Sequence, residues 1–302
     1  MALGGLERTQ GVVLRPRWGL AVGRHRHDDP PATRPRQLLN GGQDSPRPAR
    51  LIAVGVAAGL LSGILGVGGG VIMVPLMVGV LRFDQHRAHA TSLAAIILIA
   101  LAGAVRFGLA GEVDWSVGLA LGVGGLIGST IGANVMDRLS PAALRALFGV
   151  IMVLAGLRMV FGGDPAAGAS PEPLLGAVIG IGIGLGAGIA SGVAGIGGGV
   201  IMVPAMVFLL GVSQHTAEGT SLVAILFAAL AGTRVNLRNQ RVRPADALIV
   251  GAGGVLSAVA GASLALALPA GVLAQVFGIF VTSVGIRMVV AVYRDRRRTA
   301  RP

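Results

Sequence analysis

From Leu51 onward the chain is a succession of long apolar runs separated by short polar breaks. The first covers 51–81 and is interrupted by Gly68-Gly69-Gly70; others cover about 90–110, 115–136 and 142–161. After a polar stretch from Gly162 to Pro173, apolar runs return over 174–211, interrupted by Gly197-Gly198-Gly199, and over 219–235, 245–268 and 271–293. Runs of roughly 18 apolar residues or more are membrane helices by default. The pattern predicts an all-α polytopic membrane protein.

The runs repeat. Ser62 to Val78, SGILGVGGGVIMVPLMV, returns as SGVAGIGGGVIMVPAMV from Ser191 to Val207, and the offset of 129 then holds without a gap. Gln85-His86 aligns with Gln214-His215, Thr91-Ser92-Leu93 with Thr220-Ser221-Leu222, and Arg158-Met159 with Arg287-Met288. A fixed period of this length is a duplicated unit. Duplicated halves with a site at their interface are the usual build of secondary transporters.

Two topologies follow. In one, about eight transmembrane helices form two homologous four-span halves, the first helix of each half being broken at its glycine triplet. In the other, each broken run counts as two elements, giving five per half and an inverted repeat that leaves only Arg106 and Arg158 in outer loops. The roughly 12 residues from Val71 to Arg82 rise only about 18 Å, too little for a 30 Å hydrocarbon core. That length favours four plus four. Both arrangements put both termini on the cytoplasmic side of a cell inner membrane, by the excess of arginine there.

Composition supports this placement. Only 13% of residues are charged and mean hydropathy is +0.78; soluble domains carry roughly 25% charge, so a soluble enzyme or binding module is excluded. The net charge of +12 would suit nucleic acid if spread over one face. Instead it gathers in residues 1–49, in the run Arg234–Arg243 and in YRDRRRTARP at the end. Residues 1–49 read as a disordered basic extension, with a true start near Arg50 left open. Residues 50–162 and 174–293 are the two membrane halves, 163–173 a linker and 294–302 a basic tail. Cysteine is absent, which removes disulfides and thiolate metal sites. No cofactor, metal or nucleic acid is expected. The expected partners are a small anion and the lipid bilayer, with a homo-oligomer left open.

Three groups of residues carry candidate chemistry. Three consecutive glycines cannot hold a helix cheaply, so Gly68, Gly69, Gly70 and Gly197, Gly198, Gly199 should each end one helix and start another. A half-helix start inside the membrane offers free N–H groups and a positive dipole end to an anion; close helix packing is the plainer use of the same glycines. Thr91, Ser92, Thr220 and Ser221 near the heads of spans could donate hydrogen bonds to that anion, or cap helices. His86, His215 and Glu218 are candidates for a proton path, although loop positions at the interface explain them too. Arg158 and Arg287 lie inside apolar stretches and must line a path or snorkel, the inner face being the expected end. Nothing in the chain has the pattern of a catalytic site.

At SGILGVGGGVIMVP and SGVAGIGGGVIMVP, reinforced by Ala90–Leu93 and Gly219–Leu222, the chain resembles the sulfite exporter TauE/SafE family of membrane permeases, of the toluenesulfonate uptake permease type. The resemblance covers about residues 51–293. It implies transport of sulfite, sulfonates or related small organic anions across the inner membrane. A non-transporting membrane scaffold or sensor, or a permease for another solute, remains the alternative. Transport by rocking one half against the other is the mechanism expected.

Overall fold

In the computed structural model the residues described are 48–135, 141–162, 172–194 and 198–299. Apart from Pro48 and Ala49, the expected basic extension lies outside them, as do Gly197 and most of the linker.

The described residues are helical throughout, in ten segments: α1 (Pro48–Leu65), α2 (Gly70–Val80), α3 (Gln85–Leu109), α4 (Trp115–Val135), α5 (Pro141–Phe161), α6 (Pro173–Ala194), α7 (Gly199–Leu209), α8 (Gln214–Arg238), α9 (Pro244–Ala267) and α10 (Ala270–Thr299). Seven are long and apolar enough to cross a membrane, and α4 has 21 residues. By contrast, α2 and α7 have 11 residues each, about 16 Å. The expected basic tail continues α10 as helix to Thr299.

Element starts recur at the offset of 129: Gly70 and Gly199, Gln85 and Gln214, Trp115 and Pro244, Pro141 and Ala270. So do the left-handed residues that end helices, Arg82 with Gly211 and Gly111 with Gln240. Local sequence explains the boundaries. Asp84 and Ser213 accept the N–H groups of Arg87 and Thr216 at the heads of α3 and α8, as N-cap side chains do. Proline opens α5, α6 and α9, where its missing N–H costs nothing.

Each half has five helical segments because its first element is broken at the glycine triplet; the departure from expectation is that the halves are inverted. Packing explains why. Gly55, Gly59 and Gly63 of α1 face Val250, Gly254 and Ala258 of α9 in that order, so the two helices run parallel. Gly184 and Gly188 of α6 face Leu121 and Gly125 of α4 in the same way. Equivalent helices are antiparallel: Gly103 of α3 meets Leu222 of α8 while Gly232 meets Leu93, and Gly149 and Gly156 of α5 meet Gly285 and Gly278 of α10. The two-fold relation between halves therefore lies across the helices, in the plane a membrane would occupy. The length of α2 does not forbid this. Gly69 sits against Ala58 and Ser62, and Gly70 against Ile96, so α2 starts at mid-depth and returns to the end where α1 began. It is a re-entrant half-helix that never has to cross.

One hydrophobic core joins α1, α2 and α3 with α9 and takes in residues of α8 and α10; the other joins α6 and α7 with α4 and takes in residues of α1, α5, α8 and α10. Each of these bundles includes the fourth helix of the opposite half, an exchange of α4 and α9.

One polar contact ties the first bundle. Arg87 at the head of α3 pairs with Asp246 at the head of α9 at 2.8 Å, and its guanidinium lies 4.0 Å from the Phe83 ring centre. Asp246 is only 6% exposed. Removing one partner of such a pair leaves a buried charge. Arg87→Met is expected to cost about 3 kcal/mol, read as a lower melting temperature in detergent. The double variant Arg87→Met with Asp246→Leu should recover most of it; no recovery would remove the uncompensated charge as the cause.

Candidate functional site

The connection before α2 meets the start of α7. Between α1 and α2 the backbone turns through three left-handed glycines, Gly66, Gly68 and Gly69, with φ of 62°, 72° and 72°. Side chains rarely adopt that conformation, which is why the motif is glycine there. A Cβ on Gly199 would lie 3.0 Å from the Val67 backbone, so the start of α7 touches that connection. Among the described residues no side chain caps either half-helix. Their first N–H groups are thus left to water or a ligand.

Beside this contact lies a cavity of about 490 Å³. Gly70, the first residue of α2, and Gly198, the N-cap residue of α7, both line it. Its polar wall is completed by His89, Ser129, Thr130 and Ser191, and the rest is aliphatic, with Leu93, Ile96 and Ile225 prominent. The Ser129 and Thr130 hydroxyls both donate to the Leu126 carbonyl, at 3.0 and 2.9 Å. The cavity reaches the end of the molecule where His89 and Val235 stand, beside the run Arg234–Arg243.

The opposite end is sealed. The Ser221 hydroxyl donates to the Gly66 carbonyl and to that of Glu218. Thr220 accepts the Asp114 N–H at 2.9 Å, and the Leu222 side chain lies against Gly103. Glu218 is wholly buried, with Oε1 accepting from Gln214 Nε2 at 2.8 Å.

Of the expected site residues, Gly70 and Gly198 line the cavity, while Gly68, Gly69 and Gly199 are packed behind its wall. The expected hydroxyls are not among its lining residues. Thr220 and Ser221 are spent on the backbone bonds just described. Ser92 donates to the His89 carbonyl at 2.9 Å, and Thr91 is fully buried away from the cavity. None of the four is a helix cap; Asp84 and Ser213 take that role. His86 is exposed at the head of α3. His215 Nε2 lies 3.1 Å from both the Ala265 and Leu268 carbonyls, tying α8 to the end of α9. Arg158 and Arg287 sit on the peripheral α5–α10 pair, and because those helices are antiparallel they stand at opposite ends rather than sharing an inner face. Arg158 lies 5.4 Å from the Phe208 ring centre.

Ser191, Ser129, Thr130 and His89 are the wall residues that sequence reasoning passed over. Ser191 was signalled: it opens the second copy of the repeated motif, as Ser62 opens the first.

Comparison with known proteins identifies the family. A family profile described as sulfite exporter TauE/SafE matches residues 12–159 and 180–302, beginning well ahead of the 51–293 over which the motifs carry the resemblance. A probable membrane transporter protein of Xylella fastidiosa strain Temecula1 is 30% identical over 255 residues, covering 79% of this chain and 93% of its own. The probable membrane transporter protein YunE of Bacillus subtilis is 31% identical over 112 residues, 37% of this chain and 41% of its own. A probable membrane transporter protein of Haemophilus influenzae is 27% identical over 190 residues, 60% of this chain and 70% of its own.

Proposed function

Because the chain belongs to the sulfite exporter TauE/SafE family of membrane transporters, we propose that it is an inner-membrane permease for small oxyanions with an organic or sulfur-centred body, sulfite and sulfonates among them. One observation carries the reading: the uncapped starts of two half-helices, Gly70 and Gly198, line one cavity. Two positive dipole ends and their free N–H groups favour an anion over a cation there. The aliphatic remainder of the wall suits the carbon portion of a sulfonate.

The charge distribution supports an orientation. Arg50, Arg82, Arg87, Arg145, Arg234, Arg238, Arg241, Arg243 and Arg294 gather at one end, whereas the other holds Arg106 and Arg158 with Glu112, Asp114 and Glu172. The arginine-rich end is cytoplasmic by the positive-inside rule, which places both ends of the membrane domain, and the open cavity, on that side. The permease is then in its inward-open state. Rocking the two exchanged bundles about the α3–α8 contact would close this cavity and open one on the other side.

In proteoliposomes the chain should move at least one of sulfite, thiosulfate and sulfoacetate faster than protein-free vesicles do, and leave divalent cations unmoved. Rates equal to empty vesicles for all three anions would refute the oxyanion reading.

A further inference from the structure

The two halves are related by a two-fold axis, and among the described residues the cavity opens on one side; two polar residues of its wall have mates at the other end. Ser191 on the wall corresponds to Ser62, and His89 to Glu218, at the offset of 129. Both mates are wholly buried. The Ser62 Oγ and Glu218 Oε2 atoms are also buried without a hydrogen-bond partner among the described residues. Buried polar atoms are nearly always satisfied, and two orphans at the mates of two cavity residues call for a common cause. A state in which both face water supplies it.

We propose that Glu218 is a proton-binding site that governs the closed end: that end opens into a second cavity walled by Ser62 and Glu218, and closes only over a protonated carboxyl. This rests on the alternating-access reading above. An ionised carboxylate is not buried in an apolar core without a cation, and among the described residues none pairs with Glu218. The charged groups of the surrounding elements are committed elsewhere. Arg106 of α3 donates to Ser263. In the 110–114 connection Glu112 accepts from Ser213 and Thr216, and Asp114 from Ser116 and the Val117 N–H. His215, on the same helix, faces the Ala265 and Leu268 carbonyls. In α1 and α9 the titratable groups, Arg50 and Asp246, lie at the far end; α10 has none before Arg287, and α4 and α7 have none over their described spans. The proton therefore comes from water on the opposite side once that side opens. Alkaline conditions there ionise Glu218 and hold the gate open; acid conditions allow it to shut and return the cavity to the cytoplasmic side.

The chain contains no cysteine, so single reporters can be placed directly. Ser191→Cys reports the open cavity and Ser62→Cys the closed one, each probed with a membrane-impermeant anionic methanethiosulfonate across pH 5 to 9. Each reporter is compared in the wild-type background and with Glu218→Gln, so that the thiol's own ionisation cancels in the ratio. The ratio of wild-type to Gln labelling at Ser62→Cys should rise about tenfold from acid to alkaline pH, and that at Ser191→Cys should fall. Glu218→His, which installs the residue of the other half and is charged in acid, should reverse both trends. A flat ratio at Ser62→Cys, no labelling there at any pH, or an unchanged trend with His overturns the proposal. No substrate is added, so a failure here is separate from a failure to transport the three anions.

Discussion

Gly59→Leu should eliminate folded protein. A Cβ there would clash with the Gly254 carbonyl, and would stand 2.5 Å from Ser257 Oγ and 2.8 Å from Gly254 Cα. These are mostly backbone atoms of α9, so relief requires α1 and α9 to separate. In lipid, helices gain nothing from hiding apolar surface and are held by close packing. Separating them therefore removes what holds the first bundle. Overpacking a core costs about 1–3 kcal/mol where side chains can yield; with backbone on both sides the loss should exceed that range. Gly188→Leu, the equivalent change on α6 against Gly125 of α4, should do the same to the second bundle. Gly182→Leu is the control, since nothing lies within 4 Å of its Cβ position. Size-exclusion profiles and melting temperatures in detergent report the result. Wild-type stability in Gly59→Leu would mean that α1 and α9 are not in backbone contact.

How much of this was legible is best seen at α2. Its length, read as a crossing, weighed against five segments per half. A segment that starts at mid-depth escapes that argument, and nothing in an apolar 11-residue string marks the depth of its first residue. The arginine distribution did carry the answer, since only the inverted arrangement leaves Arg106 and Arg158 alone on the outer side. Long apolar helices and the glycine triplets were readable because composition and backbone conformation fix them locally. The exchange of α4 and α9 was not. Gly55, Gly59 and Gly63 announce one close neighbour, but several helices here carry small residues that could fill that role. The hydroxyls are ambiguous for a further reason. A serine or threonine inside a helix can always turn to a backbone carbonyl, as Ser92 does to His89 and Ser129 to Leu126, and sequence does not distinguish that from a side chain facing a ligand.

The glycines at the cavity allow a cleaner test of function than those between helices. A Cβ on Gly70 would meet only the Ile96 Cδ1 atom, at 3.2 Å, and one on Gly198 chiefly the Met202 Cε atom, at 3.1 Å. Both neighbours are tips of flexible side chains, and neither glycine is left-handed. Gly70→Ala and Gly198→Ala should therefore fold and keep most of the anion flux. Gly70→Leu and Gly198→Leu place a branched chain over the free N–H groups that the anion needs. Flux should fall at least about tenfold, equivalent to losing about 1.4 kcal/mol of binding, while the melting temperature without anion stays near wild type. Gly69 would be a poorer choice, because at φ 72° any side chain strains the backbone and loss of flux would not identify the cause. The pair also separates two arrangements of the site. Similar losses from both leucines mean that the half-helices share one anion, as their common cavity implies. A loss from one alone assigns the anion to that half-helix, and unchanged flux in both removes the half-helix starts from the transport path.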